Sequence, residues 1–325
     1  MNFSLSILIP TYNRQEKLLR TLDSLNHQDD YDFDVYISDN ASDYDVFSAV
    51  ESIKDDLKYK VYIHRNSLNI GADANIMNLF LLSDSEWLWP IADDDLIHSD
   101  AVKKIKKYCA KYNDAAWLDF PVFYGNPILD KDIAFDSLVN YLSFTKNISG
   151  KVDVWGNIVY LANKIYSRVK IRNVLSTFFY YNYTKISTSL IIFKCLEKGF
   201  KGIIINDSII DYDSSEGVRW SMRDICLGVR TYVDIDFSLS KKEKKELYSI
   251  VAPAGWWLKE AVKQYMNNYE EISYPGMGLD VVYYDLYRKF LPFYRKPKYK
   301  FLVLITRYPY LYRIARRFIV RKNQL

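Results

Sequence analysis

Three consecutive aspartates, Asp93, Asp94 and Asp95, end the apolar run WLWPI. Adjacent carboxylates at the end of a buried-looking element repel one another and call for a compensating cation. An Asp-x-Asp pair suits a hard divalent ion. One or two carboxylates hold Mn2+ or Mg2+ while phosphate oxygens and waters complete the shell. Such an ion would neutralise a leaving diphosphate. The alternative is a solvated acidic turn capping the helix expected from about residue 98, since aspartate is favourable near a helix N-terminus.

Other reactive residues sit in comparable places. Thr11 and Tyr12 follow the first apolar run and offer a hydroxyl and a flat ring to a base, or simply make the turn after Pro10. Asp39, in SDNASD, could accept hydrogen bonds from a ribose hydroxyl or a base N–H; equally, Asp39 or Ser42 could cap the next helix. Arg65 could pair with phosphate, and Gly71 would allow close backbone approach or serve a turn. There is no GxGxxG after the first apolar run and no GxxxxGK[ST], so the usual phosphate cradles of dehydrogenases and P-loop enzymes are not expected. His27, His64 and His98 form no evident Ser/His/Asp set. Cys109, Cys195 and Cys226 lack metal-ligand spacing and fit free buried thiols in a reducing compartment.

These residues need a scaffold that gathers them. Residues 4–9 read as a strand closed by Pro10, 33–37 as a second strand, 60–64 as a third and 86–91 as a fourth. Between them, 14–26 carries Leu18, Leu19, Leu22 and Leu25 at helical spacing, 43–56 suits a helix, and Asn69-Ile70-Gly71 opens another through Leu82. A further helix spans about 98–112. This alternation predicts an α/β fold, with a mostly parallel central sheet and helices on both faces. Its crossovers are right-handed and its ligands bind outside the carboxyl ends of the strands. Thr11, Tyr12, Asp39, Arg65 and Asp93 to Asp95 all fall at those ends.

Beyond residue 115 the pattern is coarser. A strand pair or edge element is expected at 115–124, helices near 132–143, 154–167 and 187–198, and a strand at KGIIIN. Residues 207–220 form an acidic, turn-rich loop. Helices are expected at 221–234 and 240–269, the latter with Ser238 or Ser240 as cap. The PGMG of 275–278 marks a boundary.

The segments ILIPTYNRQEKLLRTLDSL, DVYISDNASDYD, RNSLNIGADANIMNLF and WLWPIADDDLI follow the order and spacing of family 2 glycosyltransferases of the GT-A fold. Within that family the chain resembles bacterial polysaccharide and O-antigen sugar transferases, abequosyltransferase-like proteins among them, over about residues 3–115. The resemblance implies a nucleotide-diphospho-sugar donor, a saccharide or lipid-linked saccharide acceptor, inversion, and Mn2+ or Mg2+. It implies Thr11 and Tyr12 beside the base, Asp39 recognising it, and Arg65 near the nucleotide. Asp93, the first aspartate of the motif, would lie near the ribose and with Asp95 hold the metal and donor, Asp95 being the coordinating aspartate, and Asp94 would lie between them, with helix capping as its alternative use. The expected division is a catalytic domain over 1–235, with 1–115 its donor half and 116–235 its acceptor half, then a helical region over 236–325.

The chain departs from the family pattern at the acceptor base. Members commonly carry a Glu-Asp motif in the second half of the domain, and no such pair occurs between residues 115 and 235. An inverting transferase needs a carboxylate within reach of the acceptor hydroxyl. Asp119, Asp211, Asp213 and Glu216 are the candidates, set against an ordinary strand end for Asp119 and a solvated turn for the other three. Arg219 could reach a diphosphate and Trp220 could stack on a sugar, or the two could anchor a helix start. The missing motif leaves room for a non-catalytic sugar- or partner-binding module.

Composition bounds the rest. Hydrophobic residues make up 49% of the 325, enough for a substantial core, and no run is long enough to span a bilayer. The first residues read as a strand rather than a secretory signal. From Leu286 to Leu325 there are twelve Lys or Arg and no acidic residue, which leaves the remainder at about −8 out of a net +4. Apolar residues recur at helical spacing from Ile305 to Ile319, so an interfacial helix on anionic lipid is expected, with packing on the protein as the alternative. Nucleic acid is not an expected partner, because the tail offers no concave stacking platform. A cytoplasmic protein, peripheral on the inner face of the membrane, follows.

Overall fold

The computed structural model describes residues 3–122, 129–148, 154–182, 187–211 and 235–251, with the single residues Tyr232 and Pro297. Contacts divide the chain into two units, Met1–Val218 and Arg219–Leu325.

In the first unit, four strands alternate with three helices: β1 (Leu5–Thr11), α1 (Gln15–Asn26), β2 (Asp34–Asp39), α2 (Val46–Glu51), β3 (Lys60–Arg65), α3 (Ala72–Leu82) and β4 (Trp87–Pro90). A two-residue strand β5 (Leu96–Ile97) and helix α4 (Ala101–Lys111) follow. Beyond residue 115 the unit adds β6 (Trp117–Asp119), β7 (Ile133–Phe135), α5 (Leu138–Ile148), α6 (Val154–Val159), β8 (Lys164–Ser167), α7 (Arg168–Ile171), α8 (Leu175–Tyr180), α9 (Ser187–Glu197), β9 (Gly202–Ile204) and β10 (Ile210–Asp211). The eight-stranded sheet has the order β3-β2-β1-β4-β8-β6-β9-β7, and β5 pairs with β10 in a separate ribbon. Neighbours β3, β2, β1 and β4 run parallel, whereas β8 is antiparallel to both β4 and β6. The expected α/β class is observed.

Local chemistry explains these elements. Helix α1 buries Leu18, Thr21, Leu22 and Leu25, one stripe at three- and four-residue spacing, and leaves its charged face in water. Strands β1 and β4 are buried almost throughout and read as continuous apolar runs, as strands covered on both faces do. Asp45 caps α2 by accepting from the Phe47 and Ser48 amides. Gly71 opens α3 at φ +89°, a conformation that glycine adopts without strain. Gly202 is required for another reason: a Cβ there would lie 2.0 Å from the Trp117 indole.

Several expectations change. Pro10 does not close the first strand; β1 continues to Thr11. Pairing of β1 with β4 runs only to Leu8 opposite Pro90, so the N–H that Pro10 lacks has no ladder partner to miss. The helix expected over 43–56 shortens to α2, followed by a 3-10 turn at Lys54–Asp56. The helix expected near 132–143 starts later, at Leu138, after strand β7. The helix expected over 154–167 ends at Val159, and Lys164–Ser167 is a strand between β4 and β6. Its KIYS segment is wholly buried, so helical periodicity there was accidental.

In the second unit a helix spans Lys241–Val251, the start of the one expected over 240–269. Ser240 and Glu243 cap it reciprocally: the Ser240 hydroxyl accepts from the Glu243 amide and the Glu243 carboxylate from the Ser240 amide. The basic tail and the helix expected over 221–234 lie outside the described residues, Tyr232 and Pro297 apart.

Candidate active site

The parallel order β3-β2-β1-β4 brings four carboxyl ends to one edge, and with them the residues singled out by type. Thr11 ends β1 and donates its hydroxyl to Asp93 Oδ2 at 2.9 Å. Asp93 is only 3% exposed. Burial pushes its carboxyl up, and Arg14 and the Thr11 hydroxyl oppose that shift.

What compensates the three acids is on α1. Arg14 stands at the helix N-cap and its guanidinium forks over Asp93 and Asp94, reaching Asp94 Oδ2 at 2.7 Å. Lys17, one turn on, reaches the same Asp94 oxygen at 3.2 Å. A cation at a helix N-terminus is disfavoured by the helix dipole, and the two carboxylates offset that cost. Asp94 is therefore not a cap for the next helix. Helix α4 has Asp100 at its N-cap position, with no side-chain capping bond.

Asp95 sits differently. Its Oδ2 accepts from the Ala92 amide at 2.6 Å and its Oδ1 from the Tyr160 hydroxyl at 2.8 Å. Burial pushes this carboxyl up to about 6, against both hydrogen bonds. A carboxylate has about four acceptor positions, so two remain for another ligand. Among the described residues no three His, Cys, Asp or Glu side chains form a complete cation cage. The fit is to a hard ion that takes one or two carboxylates and fills its shell from phosphate and water. Asp95 meets that requirement with neutral partners only, whereas Asp93, with one bond on each oxygen as well, already has its charge paired with the Arg14 guanidinium.

At the end of β2, the Asp39 side chain is fully buried. It accepts from Arg65 Nη1 at 2.7 Å and from the Ser42 amide at 2.9 Å. Arg65 also donates to the Ser42 and Tyr44 carbonyls. Tyr12, which follows β1, is exposed. The accessible groups after β1 and at the end of β3 are thus the Tyr12 ring and the Arg65 guanidinium, while Asp39 is buried. The Tyr44 hydroxyl is buried near Thr11. Residue types alone did not single out the asparagines that fix these loops. Asn13, at φ +54°, zips its loop to that of Asp43 through both side-chain atoms. Asn40 and Asn69 each accept from a backbone amide of the Gly71 turn. Asn75 is held by Ser38 and Asn66. Arg14 and Lys17 had a signal, two cations three residues apart opening the first helix, but their partners lie 79 and 77 residues away.

The acceptor candidates separate. Asp211 is exposed in β10, paired with β5, and its Oδ1 lies 3.1 Å from His98 Nε2. The ribbon therefore ties Asp211 to the strand that follows Asp95. Asp119 ends β6 on the same sheet edge but is 3% exposed and bound by Asn163 at 2.9 Å. Asp213, Glu216, Arg219 and Trp220 lie outside the described residues.

Residues 6–175, just over half of the chain, match glycosyl transferase family 2. Over 106 residues the chain is 31% identical to abequosyltransferase RfbV of Salmonella typhimurium, covering 32% of each protein. Over 129 residues it is 29% identical to the GalNAc(5)-diNAcBac-PP-undecaprenol beta-1,3-glucosyltransferase of Campylobacter jejuni, covering 39% of each. The alignments thus span about a third of these relatives. Among solved structures, residues 1–349 of S. aureus TarS in complex with UDP share 14% identity at a TM-score of 0.57, covering 97% of this chain and 92% of that one. Mannosyltransferase PcManGT from Pyrobaculum calidifontis, in complex with GDP-Man and Mn2+, gives 14% identity and 0.57, with 95% and 86% covered. These likenesses establish the GT-A fold.

Proposed function

The chain belongs to glycosyl transferase family 2, and from that premise we propose that it moves a sugar from a nucleotide-diphospho-sugar to an acceptor hydroxyl during synthesis of a cell-surface polysaccharide. The observation that carries this reading is Asp95, a half-buried carboxylate with acceptor positions to spare, placed at the same strand-end edge as Thr11, Tyr12, Asp39 and Arg65.

In this reading Tyr12 and Arg65 present the surface that meets the nucleotide, and Asp39 orients Arg65 from beneath. Asp93, locked by Thr11 and Arg14, forms the floor near the ribose. Asp95 would hold Mn2+ or Mg2+, which when bound supplies charge neutralisation at the diphosphate. A carboxylate takes the proton of the acceptor hydroxyl as its oxygen attacks the anomeric carbon. The bond from that carbon to the diphosphate oxygen breaks, and the diphosphate leaves with the electron pair. Asp211, Asp213 and Glu216 remain the base candidates. The ribbon contact of Asp211 with His98 supports that stretch over Asp119, whose carboxyl is buried. Inversion follows if a single displacement of this kind operates. Arg219 and Trp220 are proposed to reach the diphosphate and the sugar.

No helix among the described residues is long and apolar enough to cross a membrane. The basic tail is proposed to rest on anionic lipid, where a lipid-linked acceptor would be presented. The reading is tested by calorimetric titration of the full chain with UDP and GDP. At least one should bind more tightly with Mn2+ present than without it. Equal affinities with and without the ion would remove Asp95 from the donor site.

A further inference from the structure

The turn between α6 and β8 makes an unusual number of polar contacts for a connecting segment. Lys164, only 1% exposed, donates to the Asn163 side chain at 2.6 Å, to the Tyr160 carbonyl at 2.9 Å and to the Asn157 carbonyl. An ammonium has three donors, and all three are spent on this turn. Asn163 bridges the lysine to Asp119, accepting from one and donating to the other at 2.9 Å. Asn157 clasps the Val122 backbone from both sides. Trp89, in the middle of β4, donates its indole N–H to the Ala162 carbonyl at 2.7 Å.

A buried ammonium and a buried carboxylate are expensive to desolvate, so a segment fixed this way is fixed at a cost. The side chain that the turn delivers is Tyr160, packed against the core and donating its hydroxyl to Asp95. With the Ala92 amide on the other oxygen, Asp95 is held at both ends of its carboxylate. Trp89 in β4 and Asp95 five residues beyond the strand's end belong to one short stretch, which grips the turn at one point and receives its tyrosine at another.

We propose that Tyr160 is a positioning residue for Asp95, and that the buried Lys164–Asn163–Asp119 cluster holds the turn that presents it. The hydroxyl fixes the plane of the carboxylate, so the remaining acceptor positions are set before any ligand arrives. Partners of this kind behind a metal-binding carboxylate typically affect metal affinity by about 10- to 100-fold. The inference rests on the reading of Asp95 as the metal-binding carboxylate.

The test uses the full chain and the Tyr160→Phe substitution, which keeps the ring and removes only the hydroxyl. UDP and GDP are titrated with and without Mn2+ by calorimetry, and thermal melts are recorded alongside. The expected result is a loss of about tenfold in Mn2+-coupled affinity, with metal-free affinity and melting temperature unchanged. In an Asp95→Ala background the same substitution should have no further effect, as a double-mutant cycle requires of two residues acting through one contact. Metal coupling equal in wild type and Tyr160→Phe would overturn this inference alone. Loss of metal-free binding together with a lower melting temperature would also overturn it, by showing a packing role. Wild-type protein with no metal coupling would overturn the parent reading and this one with it.

Discussion

Replacing Asp119 by alanine is expected to cost about 3–5 kcal/mol of stability, the usual result of leaving a buried charge without its counter-ion. Asp119 and Lys164 face each other across β6 and β8 and are bridged by Asn163. Burial pushes the Asp119 carboxyl up and the Lys164 ammonium down, and each partner's charge opposes the shift of the other. With the carboxylate gone, nothing offsets desolvation of the ammonium, so the folded-state value of Lys164 falls further. A lysine whose folded value lies below its unfolded value of about 10.4 contributes stability that is present above that value and lost as pH falls through the folded one. The deficit of Asp119→Ala should therefore be largest near neutrality and shrink towards pH 10. Urea denaturation across that range measures it. A base for the acceptor hydroxyl would behave otherwise, with stability kept and turnover lost. That outcome would return Asp119 to the catalytic candidates.

The second large effect concerns Asp95. Asp95→Ala should abolish Mn2+-coupled binding of nucleoside diphosphates while leaving metal-free binding in place, because Thr11, Tyr12, Asp39 and Arg65 do not depend on it. The Arg14 fork should survive too, since it engages Asp93 and Asp94 rather than Asp95. Melting temperature should rise or hold, as a desolvated carboxylate is removed. Unchanged metal-coupled binding in this variant would sink the assignment of Asp95.

Much of the fold over the first 115 residues is legible because its signals are local. Apolar runs at β1, β2 and β4, the leucine stripe of α1 and the turn at Gly71 each sit within a dozen residues. A parallel sheet then sends all the strand ends to one edge. The charge balance of the triplet was not legible. Arg14 meets Asp93 across 79 residues, and no pattern in either segment announces the other. The link from Tyr160 to Asp95 spans 65 residues and runs through a turn. Beyond residue 115 the strands β6, β7, β8 and β9 are only three or four residues long. A period of two cannot be told from a helical one over so short a run, so KIYS reads as the end of a helix. Asp119 is legible as a strand end on the sheet; its burial depends on Asn163 and Lys164, which a sequence does not place beside it.

The most direct measurement is a donor screen. Wild-type full chain is incubated with a panel of nucleotide sugars, Mn2+ and both lipid-linked and free saccharide acceptors, and release of nucleoside diphosphate is followed. At least one donor should be cleaved with transfer to an acceptor, and Asp95→Ala should release none above background. Silence with every donor and both acceptor types, in protein that still binds nucleotide, would contradict the transferase reading and identify a binding module on the same fold.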